Sequence, residues 1–273
     1  MDTADFYGCG HSEELLGKVL SDSRKDFTII SKFGNTFDSA TKRGLGTDAS
    51  PKYIRAALAS SLKRLKTDYL DVYLLHLWDY PIDAAQSVMD TLDDLVKEGK
   101  IRGFGWSTDS TSRATKYATR KKFVAVESEL NLFKDTHEII TLCEKEGLLN
   151  LIRTPLAMGL LAGKYTRESQ LPVDDIRTAS PEWIAYFKNG RPTPIFLQKL
   201  ESIKQVLTED GRSIAQGALG WILARTPNAI VLPGFKNMRQ VEENVNTMKF
   251  GALKQDQMKA INDILGSRLT RYE

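Results

Sequence analysis

The sequence predicts an α/β fold in which a parallel sheet closes into a barrel. Short runs rich in β-branched and aromatic residues alternate with amphipathic stretches along the whole chain of 273 residues. Parallel strands need helical crossovers at regular intervals, so this alternation leaves a closed barrel or a doubly wound sheet. No glycine-rich phosphate motif of the G-x-G-x-x-G or G-x-x-x-x-G-K-[ST] type follows the first strands. The barrel is therefore favoured.

The strands are predicted where β-branched and aromatic residues cluster between polar or turn residues. They are 27–32, 69–75, 101–106, 123–130, 150–153 and 229–232. The long polar stretch 166–194 holds four prolines and several acidic residues. It is interpreted as a loop over one face that shapes a substrate pocket.

The helices between these strands are predicted from their capping residues and apolar spacing. Ser12, followed by two acidic residues, starts the first helix, and Ser50-Pro51 starts the second, which runs through Leu65. The helix over 82–97 ends before Gly99. The later helices are expected at 112–119, 137–146, 195–207, 214–225, 238–249 and 255–266.

The composition is typical of one ordinary soluble enzyme. With 41% hydrophobic residues and no compositional break that would mark a linker, residues 1–273 are interpreted as a single domain. The net charge of +3 gives no strong field that would attract nucleic acid or a membrane surface. No stretch approaches the roughly 20 apolar residues of a membrane span, and the N-terminus does not resemble a signal peptide, so a cytoplasmic location is expected. Cys9 and Cys143 have no disulfide or metal spacing and are expected to be free thiols.

Ionisable residues lie at strand ends, where parallel barrels carry their chemistry. Asp2 precedes a loop that contains Tyr7, Lys32 ends one predicted strand, and His76 follows the next. Each alone has an ordinary structural explanation, such as a solvated strand end or a packed ring. Together they indicate proton transfer: an ammonium lowers the pKa of a phenol, a carboxylate holds the ammonium, and an imidazole orients a carbonyl.

Four segments of the chain carry a longer pattern. They are Asp2-Thr3-Ala4-x-x-Tyr7-Gly8-x-Gly10-x-Ser12-Glu13-x-x-Leu16-Gly17, Leu62-Lys63-Arg64-Leu65-x-x-Asp68-Tyr69-Leu70-Asp71, Pro155-Leu156-Ala157-x-Gly159-Leu160-Leu161-x-Gly163-Lys164, and Pro233-Gly234 ahead of Gln240-x-x-Glu243-Asn244. This pattern resembles the signature of the aldo-keto reductases, and the resemblance spans essentially the whole chain. It implies an α/β fold of the (β/α)8 TIM barrel type and the reduction of an aldehyde or ketone by hydride transfer from NADPH. It also implies Tyr7 as the proton donor, Lys32 and Asp2 as its tuning pair, and His76 as the residue that orients the substrate.

The resemblance implies a cofactor site that departs from the family pattern. Where the family binds the nicotinamide carboxamide with a Ser-Asn pair and a Gln, this chain has Ser107, Thr108 and Glu127. Where many members stack a Tyr on the nicotinamide, it has Arg153, whose planar guanidinium can also stack. The other implied cofactor-binding residues are Thr154, Pro155, Leu156, Gly159, Leu161, Lys164, Gly234, Phe235, Lys236, Gln240, Glu243 and Asn244. Lys236 is expected to meet the 2′-phosphate near a helix N-terminus.

The start of the chain is short relative to the family. A strand, a helix and the body of a second strand precede the signature Asp in the family, whereas only Met1 precedes Asp2 here. The barrel is therefore expected to lack its first βα unit and most of its second strand. Because open strand edges invite pairing with other chains, instability or oligomerisation is a further expectation.

The sequence leaves two alternatives to a reductase. A cofactor-binding regulatory subunit or pseudoenzyme of the same fold would keep the signature but turn over poorly, and the short start favours it. A metal-dependent hydrolase has little support, because His11, His76 and His137 are isolated, so no metal site is expected. Trp78, Trp106 and the loop 166–194 indicate an aromatic-lined pocket for a small carbonyl compound whose identity the sequence does not determine.

Overall fold

The computed structural model describes residues 1–179 and 181–266, which fall into two compact units. The first unit comprises Met1–Ser128 and His137–Leu151, and the second comprises Glu129–Thr136 and the chain from Ile152 onwards. The interpretation of residues 1–273 as one domain stays a prediction. No helix among the described residues is both long and apolar enough to span a membrane.

The first unit is built on parallel strands that pair in chain order. Its strands are β1 (Ile30–Phe33), β2 (Asn35–Asp38), β3 (Arg43–Thr47), β4 (Leu70–Leu75), β5 (Ile101–Ser107), β6 (Phe123–Glu129) and β7 (Leu149–Arg153), the last residue of β6 and the last two of β7 belonging to the second unit. Strands β1, β4, β5 and β6 pair in parallel in that order, and β7 follows β6. A doubly wound sheet would reverse its strand order at a switch point, and this unit does not.

Helices alternate with these strands close to the predicted places, although the first begins at His11, ahead of the predicted cap Ser12, and the third begins at Ala85 rather than at residue 82. They are α1 (His11–Leu20), α2 (Pro51–Leu65), α3 (Ala85–Lys97), α4 (Thr111–Tyr117) and α5 (His137–Glu146). Ser50 caps α2 as predicted, because its Oγ accepts a hydrogen bond from the Tyr53 N–H at 3.2 Å. β1 starts at Ile30 rather than at residue 27, since the Ile29 N–H donates to the Asp71 carboxylate at 2.9 Å.

A β-hairpin that the sequence does not signal follows β1. β2 and β3 pair antiparallel, and every residue of β3 is exposed. The RGLGT sequence of β3 shows no alternation of apolar and polar residues. Because the strand buries no face, hydrophobic patterning cannot reveal it.

The core of the first unit contains large aromatic side chains from the sheet. Phe33, Tyr73, Phe104 and Trp106 are completely buried. The Trp106 ring lies 6.0 Å from that of Tyr117 in α4, and its indole N–H donates to a backbone carbonyl at 2.9 Å. The prediction that Trp106 lines a substrate pocket is therefore wrong, because Trp106 lies in the core with the helix side chains.

The first residues of the chain run alongside β1. The Ile30 N–H donates to the Met1 carbonyl and the Thr3 N–H donates to the Ile30 carbonyl, both at 2.9 Å. The Asp5 N–H then donates to the Lys32 carbonyl at 3.3 Å. These bonds hold Asp2 beside the strand that carries Lys32.

Buried carboxylates lie beneath the loop that follows this segment. Glu13 of α1 accepts from the Ser31 hydroxyl at 2.5 Å and from Arg64 Nε at 2.7 Å. Asp5 is 1% exposed, and its Oδ1 accepts no hydrogen bond from the described residues. Burial, together with the nearby Glu13 carboxylate, raises the pKa of Asp5 to about 8 against the opposing charge of Arg64.

The second unit is mainly helical. Its elements are β8 (Phe187–Lys188), β9 (Arg191–Pro192), α6 (Pro194–Leu207), α7 (Ile214–Arg225), β10 (Ala229–Val231), α8 (Met238–Phe250) and α9 (Gln255–Leu265). The Leu232 N–H donates to the Ile152 carbonyl at 3.0 Å, so the ends of β10 and β7 lie side by side. Within the stretch 166–194, interpreted from sequence as a loop, the short strands β8 and β9 form an antiparallel hairpin.

The close approach of β5 and β6 at Gly105 predicts how a substitution there would affect stability. A Cβ at Gly105 would lie 1.9 Å from the Ala125 carbonyl oxygen, and this pairing sets the register that places Ser107 opposite Glu127. We expect Gly105→Ala to push the strands apart and lower the free energy of unfolding by about 1–3 kcal/mol in urea denaturation. Gly234→Ala is the control, since no atom lies within 4 Å of the added carbon. Equal losses in both variants would contradict the prediction.

The buried Asp5 carboxyl predicts a pH dependence of stability. Its pKa is about 8 in the folded chain, whereas an unfolded Asp titrates near 4, so the folded state binds the proton more tightly. Asp5 is therefore expected to stabilise the fold at pH 4 and to lose that contribution as the pH rises towards 8. Asp5→Asn, which cannot ionise, should gain stability relative to the wild type over this window. Denaturation of both proteins at a series of pH values tests this, and a constant difference between them would refute it.

Candidate active site

Lys32 is the centre of the candidate active site. Its side chain is fully buried in β1, and its ammonium donates to Asp2 Oδ2 at 2.6 Å and to the Thr3 carbonyl at 3.0 Å. Glu127 Oε2 lies 3.4 Å from the same nitrogen. The buried cation is thus held by carboxylates from two different parts of the first unit, as a buried charge requires.

Tyr7 and His76 lie beside this cluster. Lys32 Nζ is 5.1 Å from the centroid of the Tyr7 ring, and the Tyr7 and His76 rings meet edge-on with their centroids 5.8 Å apart. Tyr7 is 41% exposed, so a ligand can reach it. The structure therefore brings together all four residues that the sequence nominated for catalysis.

The pKa values of the cluster are set by burial and by its unequal charges. Burial raises the pKa of Tyr7 above its ordinary value, and the Lys32 ammonium opposes this shift without outweighing it. Burial also raises the pKa of Asp2 to about 7, again against Lys32 and with a further contribution from Glu127. Burial alone would lower the pKa of Lys32, but Glu127 and Asp2 raise it above its ordinary value. Lys32 is thus charged and Tyr7 protonated at neutral pH.

The sign of the Tyr7 shift differs from the sequence-based expectation. Lys32 acts in the predicted direction, because a nearby ammonium favours the phenolate. The net shift is nevertheless upward, since burial and the carboxylates of Glu127 and Asp2 favour the neutral phenol.

Three of the predicted cofactor-binding residues lie near Lys32 at the ends of β5 and β6. The Ser107 hydroxyl donates to Glu127 Oε1 at 3.0 Å, and the Thr108 N–H donates to the Glu127 carbonyl at 2.9 Å. The Thr108 hydroxyl donates to the Trp78 carbonyl at 2.7 Å. Glu127 Oε2 accepts no hydrogen bond from the described residues, so one buried acceptor remains beside Lys32.

In the second unit, Arg153 is paired with a carboxylate. Its Nη1 lies 3.5 Å from Glu129 Oε2, and Lys134 Nζ lies 3.3 Å from the same oxygen. The Tyr186 hydroxyl donates to Glu129 Oε1 at 2.6 Å. The guanidinium is therefore both held in place and partly compensated in charge.

The segment after β7 has an unusual backbone. Thr154, Ala157 and Met158 adopt the left-handed region with φ values of 55°, 48° and 57°. Such strained backbone clusters at active sites and ligand-binding segments, although it also occurs at ordinary turns and helix ends. Among the predicted residues here, Gly159 and Leu156 are half-buried, Lys164 is exposed, and Pro155 and Leu161 are buried.

The segment before α8 is exposed, and it ends in a residue that caps the helix. Asn237 caps the helix by accepting from the Gln240 N–H at 3.1 Å, and Gln240 Oε1 accepts from the Lys236 N–H at 2.6 Å. Gly234, Phe235 and Lys236 are exposed, whereas Glu243 and Asn244 are half-buried on α8.

Sequence reasoning missed the contacts that hold the Tyr7 loop. Lys42, at the tip of the β2–β3 hairpin, donates to the Gly8 and Cys9 carbonyls at 3.3 and 3.4 Å. The ion pair between Glu13 and Arg64 could have been noticed in the sequence, because both residues lie in the matched signature segments. No sequence feature indicated the contacts of Lys42, since its hairpin shows no hydrophobic alternation.

Sequence-based expectations also concern the cysteines and the possible metal ligands of the chain. Cys9 and Cys143 are free thiols, as predicted. Within residues 1–179 and 181–266, no group of three or more His, Cys, Asp or Glu side chains is placed to hold a metal ion.

Comparison with known proteins relates the chain to characterised families. A model described as the aldo/keto reductase family matches residues 1–265. Aldo-keto reductase yakc [NADP(+)] of Schizosaccharomyces pombe is 30% identical over 264 residues, which cover 93% of this chain and 73% of that protein. The uncharacterized oxidoreductase YqkF of Bacillus subtilis is 28% identical over 96% of this chain and 81% of its own length.

Solved structures show the same relationship. A glycerol dehydrogenase from Gluconobacter oxydans has a TM-score of 0.82 and 28% identity, covering 100% of this chain and 82% of its own. An aldo-keto reductase from Bacillus halodurans in its holo form has a TM-score of 0.78 and 27% identity, covering 99% of this chain and 84% of its own.

The fold class predicted from the sequence, an α/β fold of the (β/α)8 TIM barrel type, is confirmed by the family match and by these structures. The match begins at the first residue and includes the segment that carries Asp2 and Tyr7. The chain therefore belongs to the aldo/keto reductase family of oxidoreductases.

Proposed function

We propose that the protein reduces an aldehyde or ketone to an alcohol, with NADPH as the hydride donor and Tyr7 as the proton donor. The observation that carries this proposal is the buried Lys32 ammonium, held by Asp2 at 2.6 Å and lying 5.1 Å from the centroid of the accessible Tyr7 ring. His76 touches the same ring edge-on. A tyrosine on a partly exposed ring, a fixed ammonium and an imidazole can together protonate and orient a carbonyl group.

The residues present fit a nicotinamide dinucleotide that carries a 2′-phosphate. In the first unit, Glu127 Oε2 lies 3.4 Å from Lys32 Nζ but accepts no hydrogen bond from the described residues, so it suits an amide N–H donor. Ser107, Thr108 and Glu127 are therefore proposed to hold the carboxamide. When bound, NADPH supplies a hydride to the carbonyl carbon. In the second unit, Arg153 is proposed to stack on the nicotinamide, and the exposed cations Lys164 and Lys236 suit phosphates. The remaining proposed cofactor-binding residues are Thr154, Pro155, Leu156, Gly159, Leu161, Gly234, Phe235, Gln240, Glu243 and Asn244.

Each residue of the cluster has a separate task in the proposed reaction. Tyr7 transfers its proton to the carbonyl oxygen, and its raised pKa keeps that proton in place at neutral pH until charge develops. Lys32 stabilises the phenolate left behind, and Asp2 keeps the ammonium in position. His76 orients the carbonyl by hydrogen bonding.

Tyr7→Phe tests the proton donor. The variant lacks the hydroxyl but keeps the ring, so reductase activity should fall by at least about a hundredfold, the usual share of general acid catalysis. NADPH binding should stay within a few fold. The assay mixes the purified protein with NADPH and an aromatic aldehyde and follows the near-UV absorbance of the reduced cofactor. If Tyr7→Phe kept most of the wild-type kcat, Tyr7 would not be the acid.

Lys32→Met is the companion variant, because it removes the ammonium and leaves the phenol. It should also suppress turnover, and an unchanged rate and pH profile would contradict the role given to Lys32. If the wild-type protein bound NADPH but turned over no carbonyl compound, the result would support the alternative of a non-catalytic, cofactor-binding protein.

Lys236→Glu tests the choice of cofactor. Lys236 is exposed beside the capped start of α8, where it helps Arg177 to hold the pKa of Asp175 at about 2. If Lys236 meets the 2′-phosphate, reversing its charge should weaken NADPH binding about tenfold or more and affect NADH much less. Titration of both cofactors by quenching of tryptophan fluorescence measures the two constants.

The matched control is Arg239→Glu, an exposed cation on the first turn of α8. Equal losses for NADPH and NADH in Lys236→Glu would place the 2′-phosphate elsewhere. A selective loss in Arg239→Glu alone would assign the phosphate to Arg239.

A further inference from the structure

Glu127 has a position that binding of the cofactor amide does not account for. It is 1% exposed, and the pairing of β5 with β6 sets it opposite Ser107, whose hydroxyl donates to Oε1 at 3.0 Å. The other oxygen, Oε2, is turned towards Lys32 and lies 3.4 Å from Nζ. One oxygen is therefore fixed by a neutral hydroxyl, and the other faces the buried cation.

The cluster around Lys32 consequently contains two carboxyl groups and one ammonium. Asp2 and Tyr7 approach from the N-terminal segment, His76 from the end of β4, and Glu127 from β6. Asp2 alone is enough to form an ion pair with Lys32 at 2.6 Å. Glu127 is thus a second carboxylate on a single ammonium.

We propose that Glu127 is a positioning residue that acts as the second counter-ion of Lys32 and thereby sets the pH range over which Tyr7 can donate its proton. The inference rests on the proposed function, in which Tyr7 is the acid. It goes beyond that function by assigning to Glu127 an effect on proton transfer that is separate from cofactor binding.

The direction of the effect follows from the charges. A second carboxylate offsets the field of Lys32 at Tyr7, so less of that field is left to stabilise the phenolate. The causes of the Tyr7 pKa shift agree with this direction. Burial raises the pKa most, the Lys32 ammonium lowers it, and Glu127 raises it. Glu127 therefore keeps Tyr7 protonated to higher pH.

Glu127→Gln tests the proposal because the amide keeps the shape and can still accept from Ser107 but carries no charge. In the pH profile of kcat/KM for carbonyl reduction, the basic limb reports loss of the Tyr7 proton. This limb should move to lower pH by about 1 unit. Ultraviolet titration of the phenolate, taken as the difference from the matching Tyr7→Phe protein, should show the same shift.

Two matched variants separate the local charge from other effects. Glu98→Gln removes an equal charge from an exposed residue paired with Arg55 at the end of α3, and it should leave the limb in place. Glu127→Asp keeps the charge but withdraws it by one methylene, so its shift should be smaller than that of Glu127→Gln. If thermal melting shows that Glu127→Gln does not fold, the phenolate titration of Glu127→Asp decides the question. The midpoint of that titration is then expected to shift to slightly lower pH.

An unmoved basic limb in folded Glu127→Gln, or an equal shift in Glu98→Gln, would overturn the proposal. A Glu127→Gln protein that lost only affinity for NADPH would do the same, since it would leave Glu127 as a cofactor ligand alone. Failure of the proposed function is distinguishable, because either the wild type would turn over no carbonyl compound or Tyr7→Phe would retain turnover. The phenolate titration, which needs no turnover, reports the effect of Glu127 in both cases.

Discussion

The candidate site depends on keeping one ammonium, that of Lys32, charged in a fully buried position. A buried cation without partners would lose its proton or destabilise the fold. Asp2 and Glu127 prevent this by lying 2.6 and 3.4 Å from Nζ. Because these carboxylates come from the first residues of the chain and from β6, the site forms only when the first segment pairs with β1 and Glu127 of β6 reaches Lys32. The pairing of Asp2 with Ile30 and the register of β5 with β6 are therefore constraints on the chemistry as well as on the fold.

The Tyr7 loop is supported from below by further buried charges. Glu13 joins α1 to β1 through Ser31 and to α2 through Arg64. Lys42 ties the loop carbonyls to the exposed hairpin. These contacts hold the partly exposed Tyr7 ring close to a buried ammonium.

The second unit uses a carboxylate in a similar way at Arg153. Where many members of the family have a tyrosine, this chain has a cation whose charge would disfavour an oxidised, positively charged ring. Glu129 lies 3.5 Å from the guanidinium and is itself held by the Tyr186 hydroxyl. Part of the positive charge is therefore compensated within the protein.

The sequence by itself determined the order of strands and helices, because capping residues such as Ser50 and the apolar runs are local signals. It also determined that Asp2, Tyr7, Lys32 and His76 would meet, since strand ends converge in a parallel barrel. Only the tertiary structure decided that Trp106 is core, that Glu127 faces Lys32, and that the pKa of Tyr7 rises rather than falls. The physical reason is that burial and the distances between charges arise from the packing of segments far apart in the chain, and no local pattern of residues encodes them.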